Sequence, residues 1–423
     1  MKEIENILEL KLKDVKELRI FPIEKPDVSI NFKCSAEGLN LFCNGKSVAM
    51  ADKPRVGFET TGLKGRGIMR KTDNPDVVRL EPYKISFIDG GNEIQYEKDR
   101  SGWIKTVPQP TVNLYSLHFW LKAMRFVTAP MSAIPVITGT LMAAVDGKLN
   151  LFIFLAALTG GVAAHMGTNL LSDYNDYENG FDTPGALSSH TGVLVKELVN
   201  PDVILKSAFI LFCITFISGI YLIFAAGWQV VIFGVIGVLG GMSYTAKPIA
   251  IKYKGFGEFL TSFLMGPLMV TGAYFVQCGT LTLPVIIISL CLGFFVGSVT
   301  LANNIRDMMD DYANGFTTLP YKMGYGRARM SYYVMLLVPY ILIIFLFTLQ
   351  PGYWWPVLSV FVSFPYALQC INAMKNGGKD SSEIRISALN NPYPLFSINL
   401  YNRYSSFLLI GLIVNLVIKI LKT

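Results

Sequence analysis

Residues 150–183 read NLFIFLAALTGGVAAHMGTNLLSDYNDYENGFDT. No Lys, Arg, Asp or Glu occurs from 150 to 171, which is about the 20 residues that a helix needs to cross the hydrocarbon of a bilayer. The run then turns acidic within one helical turn. Asn169, Asp173 and Asp176 stand at i, i+4 and i+7, a spacing that puts all three on one face of the helix that the apolar run begins.

Similar apolar runs recur along the chain, at 123–144, 150–171, 203–225, 229–246, 256–278, 282–304, 332–349, 353–373 and 404–420. They account for a composition of 52% hydrophobic and 16% charged residues in 423, where a soluble domain carries about 25% charged. The sequence therefore predicts an all-α polytopic membrane protein, with about nine transmembrane helices bundled around a central cavity. The first 20 residues hold several Lys and Glu and no sustained apolar core, so targeting is expected from the first membrane helix.

The loops alternate in charge. Segments 145–149, 226–228, 279–281 and 350–352 hold only Asp146 and Lys148 between them, whereas 172–202, 247–255, 305–331 and 374–403 carry Lys247, Lys252, Lys254, Arg306, Lys322, Arg327, Arg329, Lys375, Lys379, Arg385 and Arg403. Basic loops stay on the cytoplasmic side. The expectation is a multi-pass protein of the cell membrane with a cytoplasmic amino terminus and an outer carboxyl terminus. The net charge of +7 is explained by the lipid bilayer and calls for no nucleic acid.

Residues 1–110 are of another kind. Val28–Phe32, Val56–Thr60 and Val77–Phe87 are strand-like and are punctuated by turns such as Asp89-Gly90-Gly91. They predict a small β-rich cytoplasmic domain of unknown function over 1–110, joined through Pro108-Gln109-Pro110 to a membrane domain over 115–423. The six cysteines are scattered and form no CxxC pair, so small buried hydrophobes are expected rather than a zinc or disulfide framework. His118, His165 and His190 are the only histidines, and no two have metal-ligand spacing.

A second acidic helix end completes the pattern. The run 282–304 leads into NNIRDMMDDYANGFTT, where Asn303, Asp307 and Asp311 share a face at i, i+4 and i+8. Asp176-Tyr-Glu-Asn-Gly-Phe-Asp-Thr183 matches Asp311-Tyr-Ala-Asn-Gly-Phe-Thr-Thr318 at Tyr, Asn, Gly, Phe and Thr besides the Asp, as an internal repeat would. Four apolar runs separate the copies, so both acidic ends are expected on one side of the membrane. Carboxylates near hydrocarbon are costly unless paired or metal-bound, and Mg²⁺ takes one or two carboxylates with phosphate oxygens and water. The two clusters thus predict a Mg²⁺-dependent diphosphate clamp.

These residues resemble the UbiA superfamily of intramembrane aromatic prenyltransferases, whose signatures are NDxxDxxxD and DxxxD, over about 115–422. The branch most similar is that of the 1,4-dihydroxy-2-naphthoate polyprenyltransferases of menaquinone biosynthesis. It is matched by Asn169, Asp173, Tyr174, Asp176, Gly180 and Asp182, and by RFVTAPMSAIPVITGT (125–140), YTAKPIAIKYKGFGEF (244–259) and NNIRDMMDDYANGFTTL (303–319). Ser172 replaces the motif's second asparagine, and Phe316 stands where the family usually carries a lysine.

The resemblance implies a transferase that moves an isoprenoid chain from polyprenyl diphosphate to an aromatic acceptor, here 1,4-dihydroxy-2-naphthoate, with loss of the acceptor's carboxylate. It implies Mg²⁺ at Asp173 and Asp176 and at Asp307 and Asp311. Asn169 and Asn303, one turn earlier, would add ligands or hydrogen bonds, or else join helices. Lys247, Lys254 and Arg306 would meet the diphosphate, where departing negative charge needs cations, with Lys247 or Lys322 supplying the charge absent at Phe316. Arg125, Tyr244, Asp182 and Glu258 would bind or orient substrate. Other acceptors remain open, namely another quinone precursor, a porphyrin-type ring or a glyceryl phosphate. A secondary transporter is the rival of another class, but it would carry its acids near the bilayer midplane.

Overall fold

The computed structural model describes residues 116–182, 192–196, 198–313, 317–376 and 393–422, and eight strands between residues 18 and 106. By contacts the chain divides into two compact units, Met1–Ser116 with Asp173–Pro201, and Leu117–Ser172 with Asp202–Thr423.

In the first unit the strands are β1 (Leu18–Pro22), β2 (Ile30–Phe32), β3 (Asn40–Phe42), β4 (Arg55–Thr60), β5 (Leu63–Lys71), β6 (Val77–Asp89), β7 (Asn92–Asp99) and β8 (Gly102–Thr106). They pair antiparallel in the order β2-β1-β4-β5-β6-β7-β8, with β3 also on β6. The pairing of β6 with β7 begins at Asp89↔Asn92, flanking the two glycines read as a turn. Gly90, Gly91, Cys34, Cys43 and the Pro108–Pro110 linker lie outside the described residues.

The helices are α1 (Leu117–Ala123), α2 (Pro130–Val145), α3 (Leu151–Glu178), α4 (Pro201–Ala226), α5 (Val230–Ser243), α6 (Gly257–Cys278), α7 (Leu283–Ala313), α8 (Leu319–Met323), α9 (Tyr325–Leu349), α10 (Trp354–Phe361), α11 (Phe364–Lys375) and α12 (Tyr393–Lys422). All nine apolar runs are helical, but the expected count of nine spans is corrected. Among the described residues seven helices are long and apolar enough to cross a membrane, or eight if the bent pair α10 and α11 is one span.

Both shortfalls have local causes. Pro365 at the start of α11 cannot donate a backbone hydrogen bond, and the pair bends by 48° there. α5 has 14 residues, about 21 Å, and stops just before Pro248, which disfavours helix in the residue preceding it. Nonetheless α5 accompanies α3 over most of its length. Val230 clusters with Ile153, whereas a Cβ on Gly241 would stand 2.6 Å from Thr168 Oγ1. Those two α3 positions lie about 22 Å apart along the helix.

Neighbouring helices run antiparallel through small residues that let backbones approach. α3 meets α2 at Gly161 and Val136 and meets α4 at Gly160 and Ser218. α5 meets α6 at Gly240 and Leu264, and α6 meets α7 at Gly266 and Gly293. α6 also carries a π segment, Leu264–Leu268, around Pro267, which removes one backbone donor. The last helix returns to α2: Tyr401 Oη donates to Met131 O at 3.4 Å, and Lys419 Nζ to Val145 O at 2.5 Å, so α12 lies parallel to it. In the apolar window of α7, 78% of residues are buried, against 11% in α4. α7 is therefore the central post and α4 a lipid-facing one.

A Cβ on Gly266 would sit 2.3 Å from Gly293 Cα. Gly266→Ala is expected to lower stability by about 1–3 kcal/mol, as overpacking does, read as a drop in the melting temperature of the detergent-solubilised protein. Gly219, which faces open space, is the control, and Gly219→Ala should melt no lower than the parent. Equal behaviour of the two variants would show that this contact does not limit the packing.

Candidate active site

Because α2 to α7 alternate in direction, the second unit brings the Ser172 end of α3, the start of α6 and the last turns of α7 to one end of the bundle. The sequence-predicted residues divide among these elements.

On α7, Asp307 and Asp311 are each 3% exposed and share a face at i and i+4. Arg306 is half-buried and clasps its neighbour with two bonds, Nε to Asp307 Oδ1 at 2.6 Å and Nη2 to Oδ2 at 2.7 Å. Asn303 is half-buried one turn before Asp307. Glu258, at the start of α6, is fully buried, and its Oε1 accepts from Asn304 Nδ2 at 2.8 Å. Asn304 was not singled out by the sequence reading. It lies three residues before Asp307 and seven before Asp311, so helical periodicity already placed it on the acidic face.

Between α5 and α6 runs the segment with Tyr244, Lys247 and Lys254. Lys247 and Lys254 are exposed and Tyr244 is half-buried. The chain folds tightly here, with Lys252 N donating to Tyr244 O at 2.8 Å and the Tyr244 ring seated against Gly257. Lys322, on α8, donates through Nζ to Lys254 O at 2.6 Å and ties the segment down. Phe316, whose missing charge Lys322 or Lys247 was expected to replace, lies outside the described residues, as do Asn314 and Gly315.

The Ser172 end of α3 is fastened to the break between α1 and α2. Asn169 Nδ2 donates to Met124 O at 3.1 Å and to Thr128 Oγ1 at 3.3 Å, and Thr128 Oγ1 in turn donates to Arg125 O at 2.8 Å. Arg125 itself is left-handed, at φ 56° and ψ 44°, a conformation that costs a non-glycine residue about 1–2 kcal/mol. The Asn169 and Thr128 bonds hold the backbone in it. One turn back, His165 Nδ1 pairs with Ser132 Oγ at 3.0 Å, an interhelical bond. His118 is exposed, and His190 lies outside the described residues.

In the first unit, Asp173, Asp176 and Asp182 are buried, at 5%, 2% and 7% exposure. The helix stops at Gly180, whose φ of 70° only glycine adopts cheaply. Gly180 N donates to Tyr177 O at 3.0 Å and Phe181 N to Asp176 O at 2.9 Å, the paired bonds of a Schellman cap. That is the physical content of Asn179-Gly180-Phe181.

Among the described residues no three His, Cys, Asp or Glu gather as a metal cluster. The donor set nevertheless fits Mg²⁺. Each acidic end offers two buried carboxylates at helical spacing, and this ion takes one or two carboxylates while phosphate and water fill its remaining positions.

Known proteins are similar to much of this chain. The profile of the UbiA prenyltransferase family matches residues 132–388. The 1,4-dihydroxy-2-naphthoate octaprenyltransferase of Bacillus subtilis (strain 168) is 31% identical over 244 residues, 58% of this chain and 78% of that protein. The Mycobacterium tuberculosis (strain ATCC 25618 / H37Rv) protein of the same name is 28% identical over 259 residues, 61% and 86% of the two chains. Among solved structures, a UbiA homolog from Archaeoglobus fulgidus bound to DMAPP and Mg²⁺ superposes with a TM-score of 0.50 at 13% identity, covering 68% of this chain and 98% of its own. That likeness concerns the fold.

The Asn169 bonds exist in the bare protein, so Asn169→Leu should cost about 1–3 kcal/mol through the polar atoms left unpaired. A lower melting temperature in detergent, with no metal or diphosphate added, is the expected result. An unchanged one would mean that the Arg125 break is held by other contacts.

Proposed function

Because the chain belongs to the UbiA prenyltransferase family, we propose that it transfers a polyprenyl group from polyprenyl diphosphate to 1,4-dihydroxy-2-naphthoate, with Mg²⁺ as cofactor. That it is a prenyl-transferring, multi-pass membrane enzyme follows from the family and the apolar helices. The acceptor is suggested by what the Bacillus and Mycobacterium relatives are named for, and the metal by the Archaeoglobus homolog. The observation that carries the reading is the pair of buried carboxylates on α7 at the bundle end that the Ser172 end of α3 also reaches.

In this proposal Asp173 and Asp176 hold one Mg²⁺ and Asp307 and Asp311 the other. Bound there, the ions supply positive charge against the diphosphate. Arg306, already paired with Asp307, adds a fixed cation, and Lys247 and Lys254 add solvated ones from the segment before α6. Preplaced charge of this kind favours breaking the allylic C–O bond, whose electron pair leaves with the diphosphate. An electron-rich ring carbon of the acceptor then forms the new C–C bond, and the acceptor's carboxylate departs as CO₂. Asn169 and Asn303 steady the two acidic faces. Arg125, Tyr244 and Asp182 orient the acceptor. A cavity walled by the helices keeps water from the cation and admits the isoprenoid from the lipid.

The charge alternation of the loops supports a cytoplasmic position for the acidic ends and the amino terminus. On the same ground the strands between residues 18 and 106 are assigned to the cytoplasmic side.

The test incubates membranes holding the full chain with Mg²⁺, labelled polyprenyl diphosphate and 1,4-dihydroxy-2-naphthoate. Prenylated naphthoquinol should form and disappear with chelator, and Asp173→Ala and Asp307→Ala should each lose about 100-fold or more in rate. Product from a different aromatic acceptor alone would reassign the acceptor. Failure across a panel of acceptors, with protein that melts normally, would sink the proposal.

A further inference from the structure

Glu258 has no evident packing reason to be a carboxyl group. It is fully buried, and among the described residues its Oε2 has no hydrogen-bond partner. A methionine would fill similar space without an unsatisfied acceptor, losing only the one bond to Asn304. The surroundings allow it no escape, because α6 and α7 touch backbone to backbone. A Cβ on Gly297 would overlap Ser262 Oγ at 2.0 Å, and Thr261 Oγ1 meets Thr300 Oγ1 at 3.1 Å one turn away.

What Glu258 does is accept from Asn304 Nδ2 at 2.8 Å. An amide is a donor on one side and an acceptor on the other, while a carboxylate only accepts. Glu258 therefore selects the nitrogen, and the Asn304 carbonyl oxygen lies on the opposite side of the amide. Asn304 shares its helix face with Asp307 and Asp311. A neutral oxygen there adds a ligand without adding a third negative charge.

We propose that Glu258 is a positioning residue, which sets the Asn304 amide so that its carbonyl oxygen joins Asp307 and Asp311 in facing the cation and diphosphate. This rests on the reading of that face as a Mg²⁺-diphosphate site. It moves Glu258 from direct contact with substrate to action through Asn304.

The test uses the full-length protein in detergent, with two readouts: the Mg²⁺ concentration for half-maximal prenyl transfer, and the melting temperature without and with Mg²⁺ and geranyl diphosphate. Glu258→Met should raise the Mg²⁺ requirement about tenfold, as loss of a group orienting a metal ligand does. It should shrink the rise in melting temperature on adding Mg²⁺ and geranyl diphosphate, taken for each variant from its own metal-free melting temperature. Glu258→Gln, which still offers an oxygen to Asn304, should stay within about threefold of the parent. Asn304→Ala should match Glu258→Met, and the double variant should be no worse than either, as residues acting through one bond are non-additive. The proposal is overturned if Glu258→Met leaves both the Mg²⁺ requirement and the melting shift unchanged, or if Glu258→Gln is as impaired as Glu258→Met. Should Glu258→Met not fold, Asn304→Ala decides alone by the same two readouts. If the parent protein transfers no prenyl group to any acceptor, the enzymatic reading fails, and the melting shift still decides whether Glu258 governs Mg²⁺ binding.

Discussion

A carboxylate at the end of an apolar helix is tolerated only where other groups answer its charge, and α7 ends in two that are almost wholly buried while α6 begins on a third. The groups that answer it differ along the chain. Arg306 clasps Asp307 from the next residue on the same helix, so that carboxylate is partly neutralised before any cation arrives. Glu258, deeper in the packing, is met by the side-chain amide of Asn304. Charge compensation of this local kind keeps α7 at the centre of the bundle although its last turns are acidic.

Close backbone contact makes that compensation possible. Asn304 reaches Glu258 only because α6 and α7 lie in antiparallel register with glycines at 266, 293 and 297 between them. Larger side chains there would push the helices apart by more than a hydrogen bond can stretch. The same logic recurs on α3, where small residues at 160, 161 and 167 bring α2 and α4 close. The approach of α2 lets Asn169 reach the Met124–Thr128 break. Each polar bond near the acidic end thus depends on a steric allowance elsewhere along the same helix.

Much of this was legible in the chain as written. The apolar runs announced every membrane helix, since hydrocarbon imposes a length and a composition that no soluble constraint imitates. The spacing of Asp307 and Asp311 announced a shared face, because 3.6 residues per turn is a property of the backbone alone. The number of full spans was less legible, as a run of apolar residues does not reveal that Pro365 bends it or that the chain turns before Pro248.

By itself, then, the sequence determined the class of the protein, the helices and the acidic faces on α3 and α7, since these depend on local periodicity and on the solvent the chain must cross. Only the tertiary structure decided which polar groups meet. Nothing local pairs Glu258 with Asn304, Asn169 with Met124 and Thr128, or Lys322 with the Lys254 carbonyl. Such bonds join residues tens of positions apart, and their existence depends on interhelical register, which is set by the sum of many small contacts across several helices rather than by any one segment.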